Sequence, residues 1–281
     1  MELSSLTFHP HTIIPSYLLT KIDNTLSYPA NIRIDTQLQW AEWNSYTIQT
    51  ILNSYIEHED TTVYVFLIGD ISTPFCIPSN VRLYRTSLLK SQQNVNEYIL
   101  PYVWEGKEIA FEPLEKTEKP IIGFCGKNSR YREQTLQCFT QDNQFETNYI
   151  FRESFMNGHT HDEHFAIKNN MHLSFVQDFF LNIEQSHFTI CNRGEGNFAI
   201  RFYQTLSCGR IPILIDSDIR LPFDDEIKWD EIIVMATTEE LLKEKVSEYW
   251  RTKNIIEMQN KCRNIYDIYF ANTQFFTKIL L

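Results

Sequence analysis

Arg193, Gly194, Gly196, Asn197 and Arg201 fall in one short stretch, CNRGEGNFAIRFYQTL. An apolar run ends there at Cys191, and a helical pattern begins near Asn197. Glycines let a ligand approach the backbone closely, and a helix start offers unbonded N–H groups to an anion. Two guanidinium groups in the same place add planar, bidentate donors suited to a diphosphate. Arg130 and Arg132, in GKNSRYRE, follow a second apolar run and can reach the same kind of position from another loop. On physics alone, a strand, a glycine turn and a helix also make an ordinary tight turn of an α/β protein, and both readings stand at this point.

Three further constellations could carry chemistry. Asp216 and Asp218 close the apolar run IPILIDSD, where an Asp-x-Asp pair can hold a divalent cation or simply cap a strand-end turn. His159, His161, Asp162, Glu163 and His164 crowd into NGHTHDEHF, but their spacing matches no zinc pattern and reads as a polar loop. Asp70 ends the strongest strand pattern, TTVYVFLIGD, so its carboxylate falls at the carboxyl end of a strand, where α/β proteins bind ligands. That makes Asp70 the candidate general base, with a turn cap as the bland alternative, ahead of Glu105 and His58.

Positioning these groups requires a particular order of elements. Thr36 to Tyr55 has helical spacing of apolar residues, and strands are expected at 61–70, 81–84 and 98–102. After the charged, proline-bearing segment EGKEIAFEPLEKTEKP, strands and helices alternate: strands at 120–124, 148–151, 188–191, 211–215 and 232–235, and helices through 138, over 174–184, 198–208 and 238–250. Gly209 is expected to stop the 198–208 helix. The stretch 254–281 reads as one closing helix that can pack back on the first half. Alternation of this kind implies βαβ units on parallel sheets. The expected division is 1–112, an acceptor-side domain, and 120–281, a ligand-binding domain.

The formal net charge of −11 argues against nucleic acid as a partner and leaves the local arginines as the place for an anionic ligand. Six scattered cysteines without a CxxC pair read as reduced thiols rather than as a disulfide framework. The start, MELSSLTFHPHTIIPSYLL, lacks a basic segment followed by a clean apolar run, so a cytoplasmic location is expected, with peripheral membrane contact left open.

The run RGEGNFAIRFYQTLSCGRIPILIDSDIRLPF resembles the carboxyl-terminal signature of exostosin-type glycosyltransferases, and PIIGFCGKNSRYREQTL is similar to a second segment of that family. The specific likeness covers about 45 residues, and Trp229 matches a tryptophan that often follows the signature. The resemblance implies a GT-B fold: α/β, with two Rossmann-like domains whose parallel sheets face one another across a cleft. It implies inverting, metal-independent transfer of a hexosyl or pentosyl group from a nucleotide sugar, UDP-linked by expectation, to a glycan or lipid-linked glycan, with no further cofactor. Arg193, Gly194, Gly196, Asn197 and Arg201 would line the donor site, and Arg130 and Arg132 would reach the diphosphate. The family usually has Glu where this chain has Gln204, which keeps an acceptor oxygen for a ribose diol but no charge. Surface-polysaccharide synthesis is the expected setting. The alternatives are a metal-dependent GT-A-type transferase using Asp216 and Asp218, or a silent nucleotide-sugar-binding module. No GxxxxGK[ST], GxGxxG or GxSxG pattern points to another α/β enzyme.

Overall fold

The structure, a computed structural model, describes residues 32–35, 45–58, 62–102, 110–153, 171–271 and 274–280. Residues 36–44 of the expected first helix, Glu105, the 157–165 histidine loop and the start of the chain lie outside the described residues, as does the His58 side chain.

Two parallel sheets carry the fold. The first takes β1 (Ile32–Asp35), β2 (Thr62–Leu67), β3 (Val81–Arg85) and β4 (Glu97–Ile99), in the spatial order β1-β2-β3-β4. The second takes β5 (Ile121–Lys127), β6 (Glu146–Arg152), β7 (Phe188–Ile190), β8 (Ile211–Ile215) and β9 (Val234–Ala236), in the order β6-β5-β7-β8-β9. Every named pairing is parallel. This is the two-sheet α/β architecture that the resemblance implies. β1, which has no strong apolar pattern, is the strand that sequence reading missed.

Alternation along β2 and β3 decides what each face of the first sheet meets. Val63, Val65, Leu67, Val81 and Leu83 pack on Ile48 and Leu52 of α1 (Ser45–Ser54). The opposite face carries aromatic rings: Tyr64, Tyr84 and Tyr98 stack in a row, and Phe66 meets Phe276 of the closing helix edge-on at 5.6 Å. Phe66, Tyr84 and Leu100 belong to the same core as the second sheet, so one apolar cluster spans both halves.

The second sheet reverses direction at β5. The chain runs from β5 outward to β6 through α2 (Glu133–Thr140), then returns through α3 (Met171–Glu184) to place β7 on the other side of β5. The loops after β5 and β7 therefore diverge around a crevice, the switch point where open α/β sheets bind ligands. The helix after β7 is α4 (Arg201–Ser207). It begins three residues later than the expected 198, because the chain first bends through 195–198. Within its first turn, the Phe202 N–H bonds to Ala199 O and the Tyr203 N–H to Ile200 O.

The chain ends in α5 (Glu239–Thr252), α6 (Ile255–Ile265), a π-helical turn over Tyr266–Phe270 and α7 (Gln274–Leu280). The single closing helix read from sequence is therefore divided. The π turn delivers Phe270 onto Tyr203 and Trp229, and Ala271 then becomes extended, at ψ 137°.

Gly209 does stop α4. It sits at φ +61°, with its N–H on Leu206 and the Arg210 N–H on Thr205, the paired bonds of a Schellman cap. A Cβ there would also strike the Phe111 ring. Gly209→Ala should cost about 1–3 kcal/mol by overpacking together with the left-handed backbone. Urea unfolding should show a lower midpoint at unchanged slope.

Candidate functional site

Four arginines converge on the loops after β5 and β7. Arg132 is 7% exposed; its Nε donates to the Asn192 carbonyl at 3.4 Å and its Nη1 to the Lys127 carbonyl at 3.0 Å. Its Nη2 makes no hydrogen bond among the described residues and lies beside Gly194, 3.4 Å from where a Cβ on that glycine would be. Arg201, also 7% exposed, donates to the carbonyls of Cys125 at 2.7 Å and Ile190 at 3.4 Å, and its Nε has no partner among the described residues. Both guanidinium groups lie over the Phe124 ring, Arg201 at 4.5 Å and Arg132 at 5.8 Å. A Cβ on Gly126 would come within 2.6 Å of Arg201 Nη2, so that glycine makes room for the buried cation.

Neither buried arginine forms an ion pair with a carboxylate among the described residues. Burial, with the Arg201 charge beside it, pushes the Arg132 pKa down to about 9. Burial lowers Arg201 as well. Two cations held in a desolvated place without a counter-charge leave an electrostatic deficit that an anion can fill.

Arg130 and Arg193 stack on Tyr131, at 4.7 and 4.6 Å, and lace the two loops together. Arg130 is exposed and lies 3.8 Å from Glu195. Arg193 wraps its own turn instead of standing free: it donates to Gly194 O, Glu195 O and Asn197 Oδ1 at 3.3, 2.7 and 3.1 Å.

Asn197 does not line the crevice as a free ligand. It is 1% exposed, and its Nδ2 donates to Leu88 O and Asp218 O, both at 3.1 Å. Its Oδ1 accepts from Arg193 and from Ser217 Oγ at 2.9 Å, and its backbone N–H donates to Ser87 Oγ at 2.8 Å. Every polar position of the side chain is used. Gln204, 8% exposed on α4, has no side-chain hydrogen bond among the described residues.

Asp216 and Asp218 are committed to the fold. Asp216 Oδ1 accepts from the Ile219 N–H at 3.1 Å. Asp218, at φ +64°, takes the backbone N–H and the hydroxyl of Ser91 from the first half, with Leu89 bridging Ile219 beside it. Of the acidic pair that sequence allowed as a metal site, Asp218 thus joins the two halves and Asp216 caps its own turn. No cluster of three potential metal ligands occurs among the described residues.

Asp70 meets the turn from the other side. It follows β2, is half-buried, and its carboxylate lies so close to Gly196 that a Cβ on that glycine would collide with it. Tyr102 donates to Asp70 Oδ1 at a long 3.5 Å. Burial raises the Asp70 pKa and the nearby Glu195 adds to this, while the Tyr102 hydroxyl, the Gly196 N–H and Arg193 oppose it. The structure therefore brings together a carboxyl group from the first sheet and an arginine-lined glycine turn from the second. Sequence reading missed the residues that hold this junction, namely Arg85, Thr86, Ser87 and Ser91. Their partners lie far away along the chain, and the only local signal is a run of polar residues at the end of an apolar strand.

The family profile described as Exostosin GT47 domain matches residues 63–248, reaching well before the signature recognised in the second half. The chain is 29% identical over 93 residues to an Exostosin-1 homolog of Caenorhabditis elegans, a stretch that is 33% of this chain and 24% of that protein. It is 34% identical over 65 residues to a probable glucuronosyltransferase of Oryza sativa subsp. japonica, 23% of this chain and 16% of that one. The matched stretches thus span about a quarter or less of those relatives. Among solved structures, the GtfA/B complex aligns with a TM-score of 0.47 at 10% identity over 81% of this chain and 54% of that chain. TarM aligns at 0.45 and 10%, over 89% and 54%.

The Asp70 environment makes a stability prediction. With a raised folded pKa, the folded state carries the ionised carboxylate at a cost above that pKa, whereas below the ordinary Asp value of about 3.9 both states are protonated and the cost disappears. Asp70→Asn should therefore raise the melting temperature at neutral pH and leave it unchanged near pH ~3. Thermal melts at both pH values check this, and a less stable variant at neutral pH would mean the charge is stabilising.

Proposed function

The chain belongs to the exostosin GT47 domain family, and from that premise we propose that it is an inverting glycosyltransferase whose nucleotide-sugar diphosphate binds in the crevice between the loops after β5 and β7. The observation that carries this is Arg132. It is a buried cation with no described carboxylate partner and an uncommitted Nη2 beside Gly194, whose backbone carries no side chain to stand in the way of a phosphate. Arg201 adds positive charge from beneath, and Arg130 closes from the exposed side. Arg193 acts by shaping the turn, and Asn197 by locking it to the first sheet. Gln204 offers a neutral amide to the nucleoside.

Asp70 is the base in this reading. An acceptor hydroxyl entering from the first sheet gives its proton to the Asp70 carboxylate while its oxygen attacks the anomeric carbon, and the nucleoside diphosphate leaves with the bonding pair. Preorganised guanidinium groups balance the charge that grows on the leaving oxygen, the role a cation takes in metal-dependent transferases. Asp218 is engaged with Ser91, so the reading needs no metal there. We take UDP as the nucleotide, a glycan or lipid-linked glycan as the acceptor and surface-polysaccharide synthesis as the setting. The name of the rice relative makes UDP-glucuronic acid the first donor to try.

Calorimetry with UDP tests the site. Arg132→Met, which keeps the stem and removes the charge, should weaken UDP binding by about 1.5–3 kcal/mol, and EDTA should leave the wild-type affinity unchanged. Equal affinity in the variant would remove Arg132 from the donor site, and loss of binding in EDTA would favour a metal-dependent enzyme. UDP binding without turnover of any UDP-sugar would mark a silent binding module.

A further inference from the structure

Three consecutive polar residues leave the end of β3 with almost no exposure: Arg85 at 1%, Thr86 at 0% and Ser87 at 0%. Side chains of these types are mostly exposed in folded proteins, so burial of all three in a row calls for a reason. Each grips a successive part of the segment that follows β2. Thr86 Oγ1 donates to Gly69 O at 2.9 Å and accepts from Gly69 N at 3.1 Å, holding that peptide from both ends. Ser87 Oγ donates to Asp70 O at 3.3 Å. Arg85 donates to Ile71 O and, at 2.9 Å, to Thr73 O. Glu97 locks Arg85 in place through a fully buried ion pair at 2.8 Å.

Ser87 does one thing more. The same hydroxyl oxygen that donates to Asp70 accepts the Asn197 N–H at 2.8 Å. One oxygen atom thus ties the backbone of the first sheet's acid to the backbone of the second sheet's glycine turn.

We propose that Ser87 is a positioning residue that fixes Asp70 relative to the 194–197 turn, with Thr86 and Arg85 immobilising the backbone on either side. The catalytic part of this rests on the reading of Asp70 as base. A general base must stay within hydrogen-bond reach of the proton it removes, and small misplacements of a reacting group cost rate steeply. The groups that face the carboxyl are Tyr102 from the first half and Arg193, Glu195 and the Gly196 N–H from the turn. All of the latter three move with the turn, so a loosened Ser87 link alters the electrostatic surroundings of Asp70 as well as its position.

Hydrogen exchange on the full chain tests the link without any substrate. Ser87→Ala should raise amide exchange by about tenfold in residues 68–73 and in residues 195–198 together, while Ser87→Thr keeps both slow. Ser87→Cys, which preserves volume, serves if the alanine variant does not fold. Exchange that rises in only one of the two segments, or in neither, overturns the proposal. Hydrolysis of UDP-glucuronic acid, with water as acceptor, then reads the catalytic consequence. In Ser87→Ala, kcat should fall about tenfold with KM within about twofold and the ascending pH limb displaced, and Ser87→Thr should restore all three. A change confined to KM contradicts a positioning role. If Asp70→Asn hydrolyses the donor at the wild-type rate, the base assignment fails on its own, and the exchange result still decides whether Ser87 joins the two loops.

Discussion

The side chain of Asn197 is the joint on which the molecule turns. An amide has two donor hydrogens and an acceptor oxygen with two lone pairs, and here each is used: Leu88 and Asp218 take the hydrogens, Arg193 and Ser217 supply the oxygen's partners. The backbone N–H goes to Ser87. One buried residue thereby connects the loop after β3, the loop after β8 and the turn after β7. Removing it would leave the buried Leu88 carbonyl without this donor and the half-buried Ser217 hydroxyl without this acceptor, while Asp218 O would keep the Lys90 N–H; stranding the buried carbonyl costs more than the bond itself contributes. The Asp218–Ser91 contacts and the Leu89–Ile219 bridge reinforce the same seam. Because the apolar core also runs through both sheets, the two halves behave as partners in one folded unit at this edge, and the crevice between the β5 and β7 loops is framed by fixed walls.

Fixed walls matter because the site is electrostatically unbalanced. The protein carries a net charge of −11, yet Arg132 and Arg201 are buried with carbonyls and an aromatic face for company. Carbonyl oxygens orient a guanidinium and offset part of its desolvation, but they do not neutralise it. The contrast lies within the same molecule: Arg85, equally buried, has Glu97 at 2.8 Å. Arg85 is thus given a carboxylate and the crevice arginines are not; Arg210, buried elsewhere, is likewise held by carbonyls, but there the Gln259 amide oxygen completes the shell.

Much of this was legible in the sequence where the signal is local. β2, β5 and β8 are apolar runs of the right length, Gly209 announces a helix stop, and the arginines cluster visibly around a glycine turn. Residue roles that depend on distant partners were not legible. Asn197 looked like a ligand because it sits in the turn, but its partners Ser87 and Leu88 are 110 and 109 residues away. Asp218 looked like half of a metal site, and its partner Ser91 is 127 residues away. Arg193 looked like a free cation until its turn folded back on it. Helix boundaries failed where the tertiary packing of one aromatic decided the backbone, as with Phe270 and the π turn in the closing segment.

Gln204 takes on a clearer meaning beside these charges. It lies one turn along α4 from Arg201, on a helix whose seven residues are all buried. A glutamate at that position would put a desolvated carboxylate one helical turn from Arg201, where it would offset part of that charge. The amide keeps the shape and one acceptor oxygen without cancelling any positive charge. The positive excess at Arg132 and Arg201 is then left for a ligand to balance. In the proposed donor site, an amide at this position gives a ribose diol a neutral acceptor, roughly half as strong as a charged one, and shifts attraction from the nucleoside toward the diphosphate.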